Sequence, residues 1–103
     1  MSEILLTDFE KKVLQELEKV PLGRVTTYQN LANKVGKPKA ARAVGNALNK
    51  NPWAPRVPCH RVVKSDGGIG GYVFGVEKKI ALLKKEGVAV RDERVINFEK
   101  IVF

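Results

Sequence analysis

Thr27-Tyr28-Gln29-Asn30-Leu31-Ala32-Asn33-Lys34-Val35-Gly36-Lys37-Pro38-Lys39-Ala40-Ala41-Arg42-Ala43-Val44-Gly45 decides the fold. Thr27 can cap a helix that carries Tyr28, Leu31, Ala32 and Val35 at helical spacing. Gly36 to Lys39 reads as a turn, because glycine accepts left-handed backbone and proline interrupts a helix. Ala40 to Asn49 then carries Ala, Arg, Val and Leu at helical spacing, with no breaker except Gly45, where a small residue would let another backbone come close. Two short helices joined by a Gly-Pro turn suggest a helix-turn-helix. Any small helical bundle contains such pairs. Here the second helix is small-faced and holds Arg42, and the turn holds Lys37 and Lys39 beside backbone amides that favour phosphate.

Upstream, Thr7 and Glu10 form a capping box, and Phe9, Val13, Leu14, Leu17 and Val20 make one apolar stripe. Pro21-Leu22-Gly23 ends that helix, and Arg24-Val25-Thr26 leads into the next. Downstream, three prolines between Asn51 and Pro58 predict a rigid extended track. A glycine-rich loop runs from Lys64 to Tyr72. A last helix spans about Val76 to Lys85, with Ile80, Leu82 and Leu83 on its core side, and Gly87 stops it. The tail, Val88 to Phe103, alternates in part and is expected to pair as a short hairpin. The fold class is therefore mainly α, a small winged helix-turn-helix DNA-binding domain with a wing drawn from the glycine-rich segment.

A chain of 103 residues is long enough for one core, so residues 1–103 are read as a single domain. Lys plus Arg number 19 against 11 Asp plus Glu, a net charge of +8, which favours a polyanion: nucleic acid or an anionic membrane. No apolar stretch approaches the roughly 20 residues that span a bilayer. Met1 to Thr7 is too short and too acidic for a signal peptide. The expected location is the cytoplasm, at the nucleoid, or the nucleus of a eukaryote, where a thiol stays reduced.

The single cysteine and the single histidine are adjacent, in Pro58-Cys59-His60-Arg61-Val62-Val63. One of each falls short of the three or four ligands of a zinc site, and a redox role lacks a second cysteine. No cofactor is expected. A free cysteine is often a small buried hydrophobe. Nucleophilic attack instead needs a thiol, a base and a group that orients the base. His60 is the histidine candidate for the base, and Glu86 is a carboxylate that could hold its ring, although spacing alone does not bring them together.

Pro58-Cys59-His60-Arg61-Val62-Val63 resembles the reactive motif of the O6-alkylguanine-DNA alkyltransferases, the methylated-DNA–protein-cysteine methyltransferases. Gly23 to Ala32 and Pro38 to Gly45 are similar to that family's helix-turn-helix. Asn51-Pro52, Gly70-Gly71-Tyr72 and Leu82 to Gly87 follow in order. The likeness covers about residues 7–87, the family's C-terminal catalytic domain. Most members carry an α/β domain before it, and that domain is expected to be absent here.

The resemblance implies direct repair of O6-alkylguanine in double-stranded DNA by a monomer. The nucleotide is flipped out and its alkyl group, preferably methyl, passes once to the protein, an S-methyltransferase consumed by its own reaction. Cys59 would accept the alkyl group. His60 would take the thiol proton through a water, Glu86 would orient His60, and Asn51 would brace the turn. Arg42 would fill the place of the extruded nucleotide. Tyr28 would crowd the 3′ phosphate and protonate N3 of the guanine. Tyr72 would line the pocket, the Val73 N–H would face O6, and carbonyls at Cys59 and Val62 would read the 2-amino group. Ala41, Lys37, Lys39 and Arg61 would complete the DNA contacts. Phe74, bulky beside the pocket, would disfavour large alkyl groups. Trp53 would pack and not read DNA.

The small alkyltransferase-like proteins, which bind alkylated DNA and signal to excision repair, have tryptophan or alanine in place of the acceptor cysteine. A lesion sensor of that kind, with an excision-repair partner and little transfer, is therefore one alternative. A plain winged-helix DNA binder with a structural Cys59 is the other.

Overall fold

The computed structural model describes residues 6–103; the reading of Met1 to Leu5 as no signal peptide lies outside them. The chain runs α1 (Asp8–Glu18), β1 (Thr26–Thr27), α2 (Tyr28–Lys34), α3 (Ala41–Asn49), a 3-10 turn (Cys59–Arg61), β2 (Val62–Val63), α4 (Val76–Lys85), β3 (Val90–Arg91), β4 (Arg94–Val95) and α5 (Phe98–Ile101).

The expected caps form. Thr7 Oγ1 accepts from the Glu10 N–H at 3.1 Å, and Glu10 Oε1 accepts from the Thr7 N–H at 2.9 Å. Such a cap is typically worth about 1 kcal/mol. Thr27 Oγ1 likewise accepts from the Asn30 N–H at 2.9 Å and starts α2. Gly36, at φ +78°, ends α2 in the left-handed region and lets the Lys37 N–H reach back to the Ala32 carbonyl at 2.9 Å. That reversal turns the chain into α3.

Two apolar clusters form around these elements. Val13, Leu14 and Leu17 of α1, Leu31 and Ala32 of α2, and Val44, Ala47 and Leu48 of α3 make the first, which Val57, Cys59 and Val62 complete. Val25, Val63, Ile69, Leu83, Val88 and Val95 make the second. Each fully buried aliphatic side chain contributes about 1.5–3 kcal/mol. β1 and β2 join the clusters. They pair in parallel with Thr26 opposite Val62 and Thr27 opposite Val63, so the start of α2 lies beside the strand that leaves Cys59.

The C-terminal hairpin is present: β3 and β4 pair antiparallel, Val90 with Val95 and Arg91 with Arg94. The glycine-rich segment is a turn-rich loop, and Gly68 bridges to Arg94 of that hairpin. One expectation is corrected. Asn51 to Pro58 is a run of turns and not an extended track, with a cis Ala54–Pro55 peptide. The Asn51 side chain folds it, because Oδ1 accepts from the Trp53 N–H at 3.0 Å and Nδ2 donates to the Val57 carbonyl at 2.8 Å. Among the described residues, no helix is long and apolar enough to cross a membrane.

Candidate active site

Pro58 starts the turn that carries Cys59: its carbonyl accepts from the Arg61 N–H at 2.9 Å. Cys59 is 5% exposed. It is not sealed in, because it lines a cavity of about 690 Å³ together with Tyr28, Ala41, Arg42, Tyr72 and Val73. That volume is within the roughly 300–1,000 Å³ of small-molecule sites. Burial raises the Cys59 thiol above its ordinary value, while the Asn51 amide and the positive charge of Lys79 pull it back.

Behind the cysteine the polar groups are tied together. His60 is 1% exposed, and its Nε2 lies 2.9 Å from Glu86 Oε2. Arg61 holds the same carboxylate with two parallel bonds, Nε to Oε1 and Nη2 to Oε2, both 2.9 Å, and its Nη1 donates to the Val20 carbonyl at 2.8 Å. Burial keeps the His60 ring neutral by lowering its value, although Glu86 opposes this. The Glu86 carboxyl is itself held below its ordinary value by Arg61 and then His60, which outweigh its burial. An ionised carboxylate only accepts, so the neutral ring carries its proton on Nε2. Nδ1 then keeps a lone pair, and it is buried with no hydrogen-bond partner in the chain.

Arg61 therefore faces inward, a correction to its expected place among the DNA contacts: each of its three guanidinium nitrogens donates within the protein. Val62 is fully buried and does not line the cavity, and its carbonyl accepts from Lys79. Phe74 is exposed and also lies outside the lining, edge-on to Tyr72 with ring centroids 5.6 Å apart. Trp53 is half exposed beside Glu18, Arg56 and Val57. Lys37 and Lys39 are exposed in the turn before α3.

Tyr28 and Tyr72 both line the cavity. Burial raises both hydroxyls, Tyr72 to about 12, so each stays protonated at neutral pH. The Tyr72 hydroxyl is buried beside the thiol, with no partner in hydrogen-bonding geometry. Gly45 faces the Tyr28 ring, and a Cβ there would sit 3.9 Å from it, an ordinary contact. The close approach expected at Gly45 is thus with a side chain, and an alanine would fit.

Sequence reasoning missed Lys79. It is wholly buried, and its Nζ donates to the Val62 carbonyl at 2.6 Å and the Gly71 carbonyl at 3.0 Å. Burial lowers it to about 8. The signal was its position four residues before Leu83 and three after Val76, on the inward stripe of α4. The neighbouring lysines Lys78, Lys84 and Lys85 disguise it as one more solvated charge. Asn46 and Asn49 were missed too: they line the cavity from the face of α3 that carries Arg42.

Residues 8–88 match the family model of the 6-O-methylguanine DNA methyltransferase, DNA binding domain. The chain belongs to this family. Among its curated relatives, the methylated-DNA–protein-cysteine methyltransferase of Methanosarcina acetivorans is 48% identical over 81 residues, 79% of this chain and 52% of that protein. The chain spans about half the length of such relatives, or less. Among solved structures, the Mycobacterium tuberculosis OGT in complex with DNA superposes with a TM-score of 0.76 at 42% identity, covering 82% of this chain and 52% of that one. Atl1 of S. pombe, in complex with damaged DNA containing O6-carboxymethylguanine, gives a TM-score of 0.84 at 30% identity, covering 96% of this chain and 98% of that one. Among the described residues, the matched part, α1 to α4 with the β1–β2 pair, thus has the architecture of the family's DNA-binding domain.

Proposed function

We propose that this 6-O-methylguanine DNA methyltransferase family member repairs O6-alkylguanine in duplex DNA by moving the alkyl group to Cys59, once per molecule. The observation that carries the reading is a cysteine at the wall of the cavity, backed by a buried histidine with a free Nδ1 and a carboxylate fixed on Nε2.

In this reading the duplex meets the helix pair α2–α3 as a helix-turn-helix, with the loop at 64–71 as the wing, propped by the C-terminal hairpin. The alkyl carbon lies inside the base stack, so the nucleotide must be extruded, which costs a few kcal/mol. Arg42, exposed at the cavity mouth, fills the gap. Lys37, Lys39 and Ala41 with the α3 amides meet phosphate. The base enters between Tyr28 and Tyr72.

The thiol proton passes to His60 through a water on Nδ1, while Arg61 holds Glu86 and Glu86 holds the ring. The thiolate attacks the alkyl carbon, a C–S bond forms, and the C–O bond breaks with its electron pair going to guanine. Tyr28 delivers a proton to N3 as that charge develops, and the Val73 N–H meets O6. Lys79 contributes a positive charge that favours the thiolate. The product is a thioether, which water does not cleave, so the protein acts as a reagent. Methyl is the preferred group in this reading, and Phe74, which lies outside the cavity lining, does not set that preference by direct contact there.

Intact mass of the protein after incubation with duplex DNA holding O6-methylguanine tests it. A gain of one CH2 unit, absent in Cys59→Ala, is expected. Lesion binding without mass gain would make the chain a sensor, a reading favoured by its near-complete overlap with Atl1. Indifference to the lesion would leave a plain DNA binder.

A further inference from the structure

Residues 89–103 lie beyond the family match, and none of them lines the cavity. They nevertheless grip both of its walls. On the Tyr28 side, the Val25 N–H donates to the Ile101 carbonyl at 3.1 Å and the Phe103 N–H donates to the Val25 carbonyl at 2.6 Å, which lays the tail beside β1. Arg24 fastens this pairing: Nε donates to the Ile101 carbonyl and Nη2 to the Val102 carbonyl, both at 2.9 Å. Thr26 Oγ1 and Asn30 Nδ2 donate to the Phe103 oxygen at 3.2 and 3.3 Å. β1 runs directly into Tyr28.

On the Tyr72 side, the Glu93 carbonyl accepts from the Ile69 N–H at 3.0 Å, and the Val95 N–H donates to the Gly67 carbonyl at 2.9 Å. Arg94 Nη1 donates to the Asp66 carbonyl at 3.0 Å. Phe98 packs so closely on Gly67 that a Cβ there would stand 3.4 Å from two of its atoms. This loop continues into Gly71, Tyr72 and Val73 of the cavity wall. The two walls meet at Gly70, where a Cβ would lie 3.4 Å from the Tyr28 hydroxyl.

Strands of two residues and a helix of four have no stability of their own. They hold their shape because Val88 and Val95 are buried against Val25, Val63, Ile69 and Leu83. The tail is thus packed against both β1 and the loop.

We infer that residues 89–103 are a positioning clamp that fixes the spacing of the Tyr28 and Tyr72–Val73 walls, and so aligns a bound base with Cys59 without touching it. This rests on the alkyl-transfer reading above. Arg24 and Arg94 are its positioning residues, one for each wall. Transfer between aligned atoms is sensitive to such spacing, since a misplacement of about 1 Å can cost on the order of a hundredfold in rate.

The test compares wild type with Arg24→Met, Arg24→Lys and Arg94→Met. Four quantities are measured: amide exchange at Val25, Ile69 and Phe103, the single-turnover rate at saturating O6-methylguanine duplex, the half-saturating DNA concentration, and the rate at which iodoacetamide labels Cys59. Arg24→Met should speed exchange at Val25 and Phe103 and leave the α1–α3 core protected. It should lower the saturating transfer rate about tenfold, with DNA half-saturation and iodoacetamide labelling within about twofold of wild type. Arg24→Lys should restore most of the rate. Arg94→Met should give the same kinetic pattern with its exchange change at Ile69. Faster exchange with unchanged transfer overturns the clamp, as does iodoacetamide labelling that falls in step with transfer. If wild type transfers nothing, the parent reading fails. The clamp then stands or falls on the preference for lesion over plain duplex, which Arg24→Met should reduce and which, if unchanged, overturns it. No lesion preference in wild type sinks both.

Discussion

On one side of the cavity Arg42, Asn46 and Asn49 stand exposed on α3, with Lys37 and Lys39 in the turn before it. Among the described residues, none of the three cations has an ion-pair partner. On the other side Asn51, His60, Arg61 and Glu86 are bound to one another or to backbone carbonyls, with separations of 2.8–2.9 Å. A free cation on a flexible stem suits a partner that arrives from solvent. A network tied internally at every point but His60 Nδ1 suits a group whose position and proton must be fixed before anything arrives. In the alkyl-transfer reading the difference divides binding from chemistry, and the two sides should fail differently when mutated.

The largest effect is expected on the tied side. Glu86→Gln keeps the shape but removes the charge that fixes the His60 tautomer and faces Arg61. Single-turnover transfer should fall about a hundredfold, the scale of a lost general base, with duplex affinity little changed. A parallel loss of affinity would erase the division.

On the open side, Arg42→Ala should slow transfer from duplex about tenfold and leave reaction with free O6-methylguanine base unaltered, because only the duplex requires extrusion. Equal losses on both substrates would reject the wedge role.

Stability against pH sharpens the comparison without DNA. Burial lowers His60 below its ordinary 6.5, so the unfolded chain takes up a proton that the folded ring refuses. That contribution is complete above pH 6.5 and is lost as pH falls from 6.5 toward the ring's own lower value. Glu86, also lowered, adds a second loss below 4.5. Denaturant midpoints should therefore decline in two steps, and His60→Gln should abolish the upper one. A flat profile between pH 7 and 5 would contradict the buried neutral ring.

The smallest effect falls on the turn. Lys37→Gln and Lys39→Gln should each reduce the slope of log affinity against log salt by about 1, while the transfer rate at saturating DNA stays constant. An altered saturating rate would place these lysines in the chemistry.

Much of this was legible in the sequence because it is local. Caps, apolar stripes and glycine stops fixed α1, α2 and α4 to within about two residues, and adjacency flagged Cys59 and His60. The Asn51 to Pro58 path was misread because prolines restrict backbone angles but do not say where Asn51 sends its side chain. Arg61 was expected among the DNA contacts, but Glu86, 25 residues away, and Val20, 41 away, take its donors. Lys79 carried a periodicity signal that its charge concealed. The tail's grip on Arg24 joins residues 77 and 78 apart, a separation on which no short-range pattern reports.

The central claim is that the Cys59 thiol, in front of the tied network, accepts carbon from a base delivered through the open side. The most direct measurement is label transfer from duplex DNA carrying O6-[methyl-labelled] guanine, followed by peptide mapping. The account predicts saturation at one label per chain, all of it on the peptide holding Cys59. Label that continues to accumulate, or that stays wholly with the DNA at saturating protein, would contradict it.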